Sequence, residues 1–136
     1  MLPDWPDGTV AILTTSGEWP HAIPVSTAVR AGPDCVLIAL AAGRGSLARL
    51  LANPRVALAI LSADDVAVTA YGTAHVVDEK LADGVVAVKI DVAQVQSHRR
   101  PTFVIDAGVS WRWIDAAARE RDRQVRAALA RLATRS

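Results

Sequence analysis

The hydrophobic residues of this chain fall in short runs, most of them alternating with polar residues at the period of a β-strand. Residues 9–15 read as a first strand, closed by the turn Ser16-Gly17-Glu18. Residues 19–30 read as a second, interrupted by Pro20 and Pro24. Proline cannot donate to a ladder, so those positions mark an edge or a bulge. After the turn Ala31-Gly32-Pro33-Asp34, residues 35–41 are apolar at nearly every position, which predicts a strand covered on both faces. Residues 55–61, 66–77 and 85–95 supply three more strands. Val66, Val68, Ala70, Ala74 and Val76 share one face of the first long run, and Val86, Val88, Ile90 and Val92 one face of the second. The clearest alternation is residues 103–113, with Phe103, Ile105, Val109, Trp111 and Trp113 on one side. It predicts a half-buried strand with a large apolar face. Asp115 then caps a C-terminal helix running to about residue 133.

One interruption carries candidate chemistry. Between residues 41 and 55 the pattern switches from strand to a Gly-rich turn, Gly43-Arg44-Gly45-Ser46, and a short helix. Ser46 is a good N-cap; Leu47, Leu50 and Leu51 form the apolar stripe, and Asn53-Pro54 stops the helix. A helix N-terminus presents unpaired N–H groups and a partial positive charge. Arg44 and Arg49 add positive charge there, against the helix dipole, and a bound anion would remove that conflict. A capped surface helix with solvated arginines is the plainer reading of the same residues.

The order of these segments predicts a mainly β chain: an antiparallel barrel, closed or nearly so, with one short inserted helix and one terminal helix. At 136 residues it is one domain with room for a core. The runs 35–41 and 103–113 hold more apolar surface than one small barrel interior needs, so a homodimer is expected to cover the excess. A net charge of +1 gives no field for nucleic acid, and the longest apolar runs are far too short to span a bilayer. The opening MLPDWPDG lacks a signal-peptide pattern, so the cytoplasm is the expected location. Cys35 lies in an apolar run and reads as a small buried hydrophobe. The histidines lack ligand spacing, so no metal site is expected.

Three ordered motifs resemble the pyridoxamine 5′-phosphate oxidase-like family of flavin-binding split barrels. They are the hairpin of residues 8–15 with Trp19-Pro20-His21-Ala22-Ile23-Pro24-Val25, the segment Gly45-Ser46-Leu47 through Asn53-Pro54-Arg55-Val56, and Tyr71-Gly72-Thr73-Ala74. The resemblance implies a six-stranded antiparallel split barrel with flanking helices, spanning residues 1–136 as a single flavin-binding domain. It implies a homodimer with flavin mononucleotide (FMN) in a groove at the interface, and an oxidoreductase acting on a small molecule. Carried over by position, the phosphate turn is Arg44, Gly45 and Ser46, with Arg49 close behind. The ring-lining strand is Pro24, Val25, Ser26 and Thr27, whose backbone amides and short hydroxyls would meet the pyrimidine edge. Ala41 and Ala42 are small enough to let a ring approach, and Trp111 could stack on it.

The chain departs from the family where Arg-Lys follows the turn serine; here Leu47 and Ala48 stand there. Two alternatives stay open. A deazaflavin has a longer anionic tail, which Arg99 and Arg100 could serve. A protein of the same fold could also hold flavin or haem without turnover. No side chain stands out as an acid or base.

Overall fold

The computed structural model describes residues 1–135. The chain runs β1 (Ala11–Thr15), β2 (His21–Val25), β3 (Val29–Gly32), β4 (Cys35–Ala41), α1 (Gly45–Ala52), β5 (Arg55–Ser62), β6 (Val66–Ala82), β7 (Val85–Ser97) and α2 (Ala116–Arg135). All seven strands join one antiparallel sheet in the order β2-β1-β5-β6-β7-β4-β3. Its two edges, β2 and β3, are consecutive in sequence and separated only by Ser26-Thr27-Ala28. The sheet must therefore curl until its edges meet, yet no ladder joins them. The result is a barrel split between β2 and β3. Pro24 sits in β2 opposite Ile12, on the edge its missing N–H requires.

The barrel interior holds one continuous cluster that includes Leu13, Val36, Ile38, Leu58, Ile60, Ala70, Val88 and Ile90. The outer face of β4 is covered too. Leu37 packs with Ala87 against Val125 and Leu129 of α2, which explains why β4 is apolar at almost every position. The surplus expected of β4 is thus used within the chain, and α2 rather than a second copy covers it.

The long β6–β7 hairpin has a bulge where Tyr71 pairs with Gln94 but Gly72 pairs with Val92. A methyl group on Gly72 would collide with the Asp91 carbonyl oxygen, so the bulge requires glycine.

Three expectations are corrected. The second strand, expected over residues 19–30, is two strands on opposite edges of the sheet, raising the strand number from six to seven. The β6–β7 hairpin, the longest, extends to Ala82 and Ser97, five and two residues past the expected ends at 77 and 95. Residues 103–113, the clearest alternation, form no strand. A strand needs an unpaired edge to join, and β5 and β6 are each paired on both sides. The segment instead lies across the β5–β6 turn as an irregular strap. Asp65 holds it: its N–H donates to the Ile105 carbonyl at 3.1 Å, and its carboxylate accepts from the Ile105 N–H at 2.9 Å and from Arg99 Nε at 2.7 Å. Asp64 and Asp65 both adopt the left-handed conformation, φ 65° and 60°, which aims that carboxylate at the strap. Gly108 then touches the Leu61 carbonyl so closely that a side chain would not fit. Phe103, Val104, Val109, Trp111, Trp113 and Ile114 keep much of their surface in solvent. No described helix is long and apolar enough to cross a membrane.

Candidate functional site

The split in the barrel is also where the candidate residues meet. A groove of about 190 Å³ opens between the corner that follows β2, the end of β4 and the start of α1. Pro24, Val25, Ser26, Thr27, Ala41, Arg44, Ser46 and Trp111 line it, together with Ile23, Ala39 and Leu40. Trp111 reaches it from the strap, so a residue misassigned to a strand still arrives at the groove.

Ala42, Gly45 and Arg49 do not line the groove. The Ala42 N–H donates to the Gly84 carbonyl at 2.9 Å, which ties it to the β6–β7 turn. Gly45 is the first residue of α1, and the Arg49 guanidinium lies over its Cα from one turn along. The helix begins two residues earlier than a Ser46 cap would place it. Arg44, in extended conformation, occupies the cap position and makes no side-chain cap bond; Ser46 is buried inside the first turn. The amides at the head of α1 therefore lack a capping side chain, and no acid stands in the first turn. Among the described residues neither Arg44 nor Arg49 has an ion-pair partner. A capless helix start flanked by two unpaired guanidiniums is a favourable place for a phosphate or carboxylate.

The hydroxyls expected to face a ring are already engaged. Ser26 Oγ donates to Asp122 Oδ1 of α2 at 2.8 Å. Thr27 Oγ1 donates to the Ala39 carbonyl at 3.3 Å and accepts from the Ala39 N–H at 3.2 Å. The Thr27 side chain so extends the β3–β4 ladder by one more rung, replacing a backbone partner and fixing the corner. Asp122 also accepts from Arg126 Nε at 2.9 Å, and Arg126 pairs with Asp7 at 2.6 Å. One network thus ties the groove to α2 and to the N-terminal segment. Residues 26 and 122 carry no local signal of this contact, 96 positions apart.

Arg44 is the one ionisable residue in the groove's lining, so no side chain there can serve as general acid or base. Arg99, considered above for an anionic tail, is committed to Asp65 and lies outside the groove. Burial pushes the Cys35 thiol above its ordinary value, which suits an inert side chain rather than a nucleophile. Among the described residues no cluster of His, Cys, Asp and Glu is placed to hold a metal ion.

No protein-family model and no curated protein matches the sequence. Solved structures do match its shape. A Listeria innocua protein named for pyridoxamine 5′-phosphate oxidase superposes with a TM-score of 0.57 over 66% of this chain and 88% of its own, at 16% identity. The fold is the split barrel of the pyridoxamine 5′-phosphate oxidase-like proteins. A Streptomyces globisporus NADH:FAD oxidoreductase matches with a TM-score of 0.54 over 66% of this chain and 70% of its own, at 17% identity. An F420 reductase matches with a TM-score of 0.58 over 65% and 90%, at 11% identity.

Proposed function

We propose that the chain is a flavin-binding, pyridoxamine 5′-phosphate oxidase-like oxidoreductase that holds FMN in the split of its barrel and acts on a small molecule. The observation that carries this reading is the head of α1. Arg44, without an ion-pair partner among the described residues, and an uncapped turn of amides stand at one end of a groove whose remaining lining is apolar or aromatic apart from the Ser26, Thr27 and Ser46 hydroxyls, and Arg49 adds its charge from just outside. That division suits a flat ring with a phosphate tail. Arg44 would hold the phosphate, with Gly45, Ser46 and Arg49 shaping and charging the turn. Trp111 would cover one face of the ring. Ser26 and Thr27 lie outside every backbone ladder, so their backbone, rather than their engaged hydroxyls, would meet the ring's polar edge. A bound flavin supplies the hydride or electron chemistry, and the chain supplies orientation and charge. The absence of an acid or base in the groove fits that division of labour.

The groove is open on one side, and the strap beside it exposes Phe103, Val109 and Trp111. A homodimer that covers both would complete the site. Light scattering should give twice the 14.4 kDa chain mass; a monomer would remove the shared groove. A deazaflavin, the second reading, has its fold-level support in the F420 reductase, but Arg99 is spent on Asp65. The visible spectrum of the protein reconstituted with each cofactor separates the two. Oxidised-flavin bands that survive gel filtration are expected. Retention of deazaflavin alone would transfer the site to that cofactor.

A further inference from the structure

A second groove, of about 320 Å³, opens on the other side of the β4 end. It shares the floor of the first, Thr27, Ala39, Leu40 and Ala41. Trp111 lines one groove and Trp113 the other, with ring centroids 5.5 Å apart. The far wall of the second groove is α2, which contributes Val125, Arg121 and Asp122.

The charges on that wall are unequal in what they have left to give. Asp122 has both oxygens engaged, by Ser26 and by Arg126. Elsewhere on α2, Arg123 pairs with Glu120, and Arg126 pairs with Asp122 and Asp7. Arg121, the cation of this groove, has no ion-pair partner among the described residues. The space is therefore a mainly apolar slot with one aromatic wall, the engaged Asp122 carboxylate, and one exposed guanidinium without an ion-pair partner. A neutral ligand gains nothing from that guanidinium beyond what water already gives it, whereas a carboxylate matches its planar fork in two parallel, charge-assisted hydrogen bonds.

We infer that this second groove binds a small carboxylic acid with a flat apolar body, the acid on Arg121 and the body against Trp113. Sharing a floor with the first groove, it would set that acid beside the cofactor. That the acid is the substrate rests on the flavin reading; that it binds here does not.

Benzoate is the probe, with benzyl alcohol as its neutral counterpart, each titrated into the flavin-free full chain by calorimetry. Benzoate is expected to bind at least about tenfold more tightly than the alcohol. Arg121→Gln should erase that preference while leaving FMN affinity unchanged, with circular dichroism confirming that the variant is folded. Trp113→Ala should weaken both probes. Equal affinity for the two probes, or a preference that survives Arg121→Gln, overturns the site. Benzoate binding that falls with Arg44→Ala instead places the acid in the first groove and also overturns it. FAD that binds more tightly than FMN and loses that advantage in Arg121→Gln gives the groove to a nucleotide, again against the inference. If FMN fails to bind while benzoate still answers to Arg121, the flavin reading falls and this site stands.

Discussion

Cys35–Ala41 and residues 103–113 are both apolar stretches that read as strands, and they meet opposite fates. The first is β4, paired to β3 and β7 and buried on both faces, by the barrel interior and by α2. The second is a strap with no ladder, held by Asp65, Arg99 and the fit of Gly108 on Leu61. Its aromatic side chains remain half in solvent. Alternation describes a surface that could be half-buried; it does not provide the edge that a strand must join. The difference also divides the labour. The buried strand supplies the shared floor of the two grooves, and the loosely held strap supplies their tryptophan walls.

The comparison breaks most directly at the cover of β4. Leu129 is fully buried against Leu37, so Leu129→Ala should cost about 2–5 kcal/mol in chemical denaturation. A cost under about 1 kcal/mol would mean that α2 does not seal this face. At the head of α1, Arg44→Ala should weaken FMN by tenfold to over a hundredfold, about 1.5–3 kcal/mol, with little change in unfolding. On the strap, Phe103→Ala should change the stability of the single chain by no more than about 0.5 kcal/mol, because its ring is already half exposed. A larger loss from dilute, monomeric protein would show that the strap belongs to the core. The smallest effect is on the strap's anchor. The Ile105 N–H, and after it Arg99, holds the Asp65 carboxyl below its ordinary 3.8. A depressed folded pKa adds stability that is present above 3.8 and is lost as the pH falls through the lower folded value. Tryptophan emission from the strap should therefore shift red below that pH before global unfolding, and Asp65→Asn should abolish the pH step.

Local pattern carried much of the architecture. The strands of the barrel interior show it in Leu13, Leu58, Ile60, Val88 and Ile90, and the helix after the Gly-rich turn in Leu47 and Leu50. Much of the lining of the first groove was also legible, because Pro24–Thr27 and the turn that carries Arg44 and Ser46 are two short segments that one motif order brings together. What escaped depends on distant parts of the chain. Nothing near Leu37 says that Leu129 will cover it, and nothing near Ser26 says that its proton goes to Asp122. The break of residues 19–30 into two edges was hidden for the same reason. Its cause is the curl of a sheet whose other five strands lie between them. The second groove depends on Trp113 and Arg121 meeting the end of β4, a juxtaposition that only the docking of α2 creates.

The central claim, that the split of the barrel is a phosphate-anchored flavin site, is tested most directly by titrating the flavin-free protein with FMN and with riboflavin. The two ligands share a ring and differ in the phosphate. With Arg44 and the head of α1 holding that phosphate, FMN should bind at least about tenfold more tightly, a difference of about 1.4 kcal/mol or more. Equal affinity for the two, or binding of neither, would contradict it.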